Sequence, residues 1–499
     1  MSYSYLHDME SDGSDDNHPP MKPEGSNSTK PKLPPNTLPN PPYDTGSRHL
    51  VLWGLVLALV TGSIFIIIGI VIYATSTTPG RFVILDHLNG WADLALGLCL
   101  NALVTVCTQA TGYVHGTTLK WGLAKEGRLR FNANLRLFSA TKGAFSVNGA
   151  VINAIYTVSI IFSYAASSTI FIHSSILPEF IQERVDIDPI GGPSTLVAFL
   201  PPIILGTVLV LRAALGLVAF FSTHVPTWSS SPLDVTSALV YYGYIRHRPQ
   251  RCMCSVSKIK DSPVDPIRPL SRQPSPWSSH KTVPRVVWFV WSTLAVWAGW
   301  LIVLNTWEVR DSVRAGGDGN SPRRIGIGLL WLAAVQSAVT MALHYCELVA
   351  TLARDEAVWR MASSPTGARP AGNPLKLMLG SWQSSVLVSA KPAVHWFFRI
   401  GIGMVVEGFD VTFLAVFFLI VLFLIAVYVT VVATRRPRGP QPVAYGHVQT
   451  LADLVDEWST IMYWGHKKEE QGAGPWPVCH AGTTSLGPLP PIRIEEFYA

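Results

Sequence analysis

Apolar residues in this chain fall into long unbroken runs, not into the alternation of a half-buried strand. About 20 consecutive apolar residues cross a bilayer as a helix, at roughly 1.5 Å per residue. Seven runs meet that length: Leu50–Ala74, Trp91–Val114, Gly149–Ile172, Leu196–Phe221, Val286–Leu304, Ile325–Val349 and Val411–Thr434. An eighth, Ser384–Val406, is weaker because it carries Lys391 and Arg399. Period-two patterning is absent from the runs, which argues against a membrane β-barrel. The pattern predicts an all-α, polytopic helical membrane protein with seven clear spans and an eighth candidate.

The same pattern divides the chain. Residues 1–48 are polar, contain nine prolines and are predicted to be a disordered cytosolic tail with no cleavable signal. Residues 49–222 hold four spans, and 223–284 form a basic loop. Residues 285–434 hold three or four spans, and 435–499 form a second polar tail. Within that tail Val448, Leu451, Leu454, Val455, Trp458, Ile461 and Met462 fall on one stripe, which predicts an amphipathic helix over 446–464. Its polar face, with Asp453, Asp456 and Glu457, is acidic, so it is expected to dock on the chain's own basic loops or on a partner helix.

Charge then sets orientation. Six Lys and Arg lie in 115–148 and nine in 222–285, whereas 173–195 has only Arg184 against four carboxylates. By the positive-inside rule the two basic loops and the N-terminus face the cytosol. Seven crossings would put Arg435, Arg436 and Arg438 outside. Eight crossings place both termini inside, with Glu407 and Asp410 in the last outer turn. The net charge of +6 sits mostly on the inner loops, where it favours anionic lipid head groups and calls for no nucleic acid. With 48% hydrophobic and 14% charged residues the partner of most of this surface is the lipid bilayer.

Candidate chemistry is confined to polar groups inside the spans. On the second run Asp93, Gly97, Asn101, Thr105, Thr108, Gln109, Thr111 and Gly112 share about half the helix circumference. Such a face meets protein or water, as a packed helix contact or as a polar path. Arg212 lies in "IILGTVLVLRAALGLVAFF". Counted from Leu196 it is about 24 Å deep, with His344 at about 28 Å and Glu347 at about 33 Å on the sixth run. Three readings stay open for Arg212: a side chain snorkelling to the inner interface, an ion pair with Glu347, or a substrate or proton site. Asn101, Gln109, Arg212, His344 and Glu347 are therefore the candidate intramembrane polar site.

Cys252 and Cys254 form C-x-C in the basic loop and are candidates for S-acylation. No metal or cofactor is expected, because His344 and Glu347 have no second ligand pair and no paired C-x-x-C exists. The chain has no G-x-x-x-x-G-K-[ST], H-E-x-x-H or G-x-S-x-G, so nothing argues for an enzyme.

The stretches "WGLAKEGRLRFNANLRLF", "HVPTWSSSPLDVTSALV", "HYCELVATLARDEAVWR", "KPAVHWFF" and "YGHVQTLADLVDEW" with "MYWGHK" resemble a group of uncharacterised fungal multi-pass membrane proteins. The ending "HAGTTSLGPLPPI" with "EEFYA" belongs to the same likeness, which runs from about residue 50 onward. It implies a filamentous-fungal origin and an integral membrane location, and it brings no reaction, ligand or site residue. The expected role is a non-enzymatic organising or signalling component of the membrane. The alternative is a transporter or channel using polar residues of the second and sixth spans.

Overall fold

A computed structural model of the chain describes residues 48–78, 81–85, 90–133, 139–173, 195–258, 265–306, 322–369, 380–407, 411–470 and 478–499. The Pro-rich tail up to residue 47, most of the acidic 173–195 stretch and the turn with Asp410 lie outside them.

The apolar runs become helices: α1 (Arg48–Thr75), α2 (Gly90–Lys125), α3 (Ala150–Thr169) and α4 (Leu200–Ser222) in the first half. A short helix, α5 (Pro232–Tyr241), follows in the basic segment. The second half holds α6 (Thr282–Thr306), α7 (Pro322–Arg360), α8 (Trp382–Glu407) and α9 (Val411–Thr434). Among the described residues six helical segments are long and apolar enough to cross a membrane, in α1, α2, α3, α4, α7 and α9. That is in keeping with an integral membrane protein. The expected spans at Val286–Leu304 and Ser384–Val406 form helices of 25 and 26 residues, α6 and α8, and are not among the six.

Close helix approach in the first half rests on small residues. A Cβ on Gly62 of α1 would stand 2.8 Å from the carbonyl oxygen of Gly206 on α4, and one on Gly206 would stand 2.4 Å from that of Gly62. The two backbones touch there, and larger side chains would separate them. Pro201 and Pro202 occupy the first turn of α4, where the missing N–H costs nothing.

Three short strands were not legible in the hydropathy pattern. β1 (Phe82–Leu85) and β2 (Phe171–His173) both pair antiparallel with β3 (Thr195–Ala198). They join the chain after α1, after α3 and before α4, at the end of the bundle opposite the basic segments. β3 takes residues that the hydropathy run assigned to the fourth span. Arg212 is therefore twelve residues into α4, about 18 Å along it. It stands at the middle of its helix, not toward the far end as a count from Leu196 suggests.

The other end carries a folded layer. The basic 223–284 segment and the tail are not separate: Val256 N–H donates to the Val443 carbonyl at 3.0 Å, and Ile267 bridges Tyr498. The C-terminal turns of α7 anchor them, with Glu356 accepting from the backbone N–H groups of Ala444 and Tyr445. The helix expected over 446–464 is only α10 (Val448–Leu454), capped by the His447 side chain. It packs on α5, and its Asp453 pairs with Arg248 of the basic segment at 2.8 Å, the one carboxylate of the expected acidic face that does so. From Tyr463 the chain is strand: β4 (Tyr463–Glu470) pairs antiparallel with β5 (Val478–Thr484). Asp456 and Glu457, read as the helix's polar face, instead bind Thr483 and Ser485 at the end of that hairpin. Long-range pairing of aromatic residues such as Tyr463 and Trp464 outweighs the local helical stripe.

Candidate functional site

Lys391, His395 and Arg399 stand four residues apart on α8 and so share one face of it. All three are buried, Lys391 to 1% exposure. Each meets a different polar group across a helix boundary. Lys391 Nζ contacts the carboxylate of Glu347 on α7. His395 Nδ1 lies 2.8 Å from Gln336 Nε2, also on α7. Arg399 Nη2 donates to both carboxylate oxygens of Asp93 on α2, at 3.1 and 3.0 Å. The charges that weakened this segment as a span are the groups that dock it: each cation faces a carboxylate in place of water.

Glu347 is the centre of the first cluster. Gln109 Nε2 donates to it at 2.9 Å, and His344 Nδ1 lies 3.6 Å away. His344 also lies 3.5 Å from Lys391 Nζ. The sequence thus named three of four members, His344, Glu347 and Gln109, and took the fourth, Lys391, for an obstacle. Tyr164 of α3 extends the cluster. Its ring stacks on His395 with centroids 3.7 Å apart, and its hydroxyl is 3.3 Å from Thr105 on α2.

Asn101 lies apart from Glu347. Its amide donates to Gly97 O at 2.9 Å and its oxygen accepts from Ser167 of α3 at 3.1 Å, so it ties two helices together. Arg212 is fully buried, which corrects the snorkelling reading: the guanidinium turns into the bundle, where Nη1 donates to Thr108 at 3.1 Å. Thr108 and Gln109, adjacent on α2, thus hold Arg212 and Glu347, which one of the three readings paired with each other.

A cavity of about 500 Å3 opens between the halves. Its apolar wall comes from α1 (Leu50, Val51, Trp53, Leu57) and α8 (Leu387, Val388). Thr105, Gln109, Glu347 and Lys391 line its inner part. Toward the basic layer it is lined by Lys120, Asn132, Ser230 and Arg354. These four converge on shared atoms: Lys120 donates to Asn132 Oδ1 at 3.0 Å, and Asn132 donates to the Ser230 carbonyl at 2.9 Å. Asn132 also donates to Asp355 at 2.8 Å, and Arg354 pairs with Asp355 at 2.9 Å. None of the four was singled out from sequence, because they come from α2, two loops and α7 and share no spacing.

The cysteine reading is also corrected. Cys252 and Cys254 are buried in the basic layer, Cys252 to 2% exposure, with its thiol donating to the Ala499 carbonyl at 3.1 Å. Acylation needs a thiol at the surface, and both thiols are buried, Cys252 inside a core that includes Trp359 and Tyr498. Beside them His480 Nε2 lies 3.3 Å from Asp456 and Nδ1 lies 3.2 Å from the Ala499 carbonyl. Asp456 first, then the neighbouring Cys252 thiol and the Ala499 carbonyl, hold the His480 imidazole up at about 10. Burial alone would raise the Asp456 carboxyl, but bonds from His480, Thr483 N–H and Lys467 outweigh it and hold it well below the usual carboxylate range. Among the described residues no group of three or more His, Cys, Asp or Glu is placed to hold a metal ion.

No family model, curated protein or solved structure matches this chain.

Proposed function

We propose that this chain is a membrane protein that binds a small solute in the cavity between its two halves and passes it across the bilayer. The observation that carries this reading is the Glu347–Lys391 pair. It lies on helices of the second half, is met by Gln109 from the first, and faces a cavity of about 500 Å3. Ionisable groups inside a membrane are costly, and they mark solute or ion pathways when they border a cavity. The size suits a small organic molecule. The bundle is taken to cross eight times, α6 and α8 included, with the basic layer and both termini in the cytosol. Arg435 and Arg436, exposed just after α9, then meet anionic head groups.

Flux in proteoliposomes tests the function. Purified protein should pass a labelled solute, and Glu347→Gln, reconstituted at an equal amount of folded protein, should abolish passage. A screen in which wild type and Glu347→Gln behave alike rejects the reading. Topology has its own test: a glycosylation acceptor inserted after residue 440 stays unmodified with eight crossings and is modified with seven.

The other reading, an organising or signalling component of the fungal type that the sequence resembles, is favoured by the folded basic layer, a surface on which a partner could assemble. The cavity has no use in that reading, and for that reason it ranks second.

A further inference from the structure

The basic end of the cavity has a specific chemical imbalance. Lys120 is only 7% exposed, yet its ammonium makes one hydrogen bond, to the amide oxygen of Asn132, and no ion pair within 4 Å among the described residues. Two of its three N–H donors therefore remain to be used. Asp355, the nearby carboxylate, is already taken by Asn132 and by Arg354, whose guanidinium also reaches the Ser230 carbonyl at 3.3 Å. The Ser230 hydroxyl, on the same cavity wall, is buried and has no hydrogen-bond partner among the described residues. Buried polar groups in native proteins are nearly always satisfied. An ammonium with free donors beside an unused hydroxyl fits an anion that contributes two or three acceptor oxygens.

The rest of the cavity is apolar, and it is open to the side. Leu50, Trp53, Leu57 and Val106 line it and are also exposed on the apolar flank of the bundle, Trp53 to 71%. A water-soluble anion would leave this wall uncovered, whereas a hydrocarbon chain reaching in from the bilayer would cover it. We infer that the cavity holds a single-chain amphipath whose carboxylate or phosphate head is bound by Lys120 and Ser230 beside Arg354. Its hydrocarbon part lies against α1 and α8. This rests on the solute-binding reading above and names the solute's class.

Native mass spectrometry of the full chain in a non-ionic detergent tests it, with oleate, oleoyl lysophosphatidate, methyl oleate and oleylamine as probes. One molecule of an anionic probe should bind at least about tenfold more tightly than the neutral ester or the amine, the worth of a charge-assisted hydrogen bond. Oleate alone identifies a carboxylate head and lysophosphatidate alone a phosphate. Binding of both means that charge is read without head-group shape. Lys120→Gln, which keeps a donor for Asn132 and removes the charge, should erase the preference. If Lys120→Gln does not fold, Ser230→Ala loses a hydroxyl with no protein partner. It should weaken anion binding about fivefold at unchanged thermal stability. Equal binding of ester and acid overturns the proposal, as does a preference that survives both substitutions. Val388→Trp, which fills the apolar wall, separates this failure from that of the cavity reading. If it blocks flux while no anionic amphipath binds, the ligand class is wrong and the cavity stands. If it changes neither flux nor binding, both fall.

Discussion

Asp93–Arg399 and Asp456–His480 are both carboxylate–cation contacts, at 3.0 and 3.3 Å, but they stand in different surroundings. The first joins α2 to α8 inside the bundle, with both side chains at 7% exposure or less. The second lies in the basic layer, with both side chains near one quarter exposed and Lys467 as a further partner. Water can replace a lost partner in the layer and cannot in the bundle. The same pair chemistry is therefore a strict requirement in one region and a modest contribution in the other.

The largest effect that would break this contrast concerns Asp93. Asp93→Leu leaves Arg399 buried beside no carboxylate and should cost about 3–5 kcal/mol, read as thermal unfolding in detergent. Asp93→Leu with Arg399→Leu should recover most of that loss. Additive losses would mean that the two charges act independently. The Glu347–Lys391 pair should give the same pattern in Glu347→Gln and Lys391→Met, with a smaller loss because the Glu347 side chain keeps 20% exposure toward the cavity.

A geometric probe comes next. A Cβ on Gly97 of α2 would stand 2.0 Å from Arg399 Nη1, so Gly97→Ala must push the guanidinium off Asp93 or part the helices. The expected loss is about 1–3 kcal/mol. Gly97→Ala at wild-type stability would show that the α2–α8 contact is looser than described.

The smallest effect belongs to the layer and depends on pH. The folded His480 value, about 10, stands above its ordinary 6.5, so its contribution is complete below about pH 6.5 and fades as pH rises toward 10. Asp456 is shifted the other way. Its contribution is present above its ordinary 3.8 and is lost on acidification below that. His480→Gln should flatten the stability slope between pH 7 and 10, at a cost of about 1 kcal/mol in a pair partly open to water. Added salt should shrink this effect and leave that of Asp93→Leu nearly unchanged.

The contrast also marks where sequence reading works. Asp93, Gln109, His344 and Glu347 were legible because a polar residue in an apolar run is conspicuous whatever it touches. Lys391 and Arg399 were equally visible but were scored against their own segment, since a transfer count adds the cost of a charge and cannot add the partner that cancels it. Their four-residue spacing with His395 was the signal that could have found the face. Lys120, Ser230 and Arg354 carried no signal. Each is an ordinary loop or helix-end residue until the chain folds back.

The order of apolar runs and basic loops determined the helices, because a span is a local property: twenty apolar residues need no distant partner to prefer helix in lipid. The α10 helix begins where the stripe begins for the same reason. It ends at Leu454 because β5, some thirty residues further on, offers Tyr463 and Trp464 a ladder. Pairing of that kind, like the meeting of α8's cations with Asp93 and Glu347 and the cavity they border, depends on which helices become neighbours. That choice is made by close packing across the whole bundle, between residues as far apart in the chain as Asp93 and Arg399, and no local window of sequence contains it.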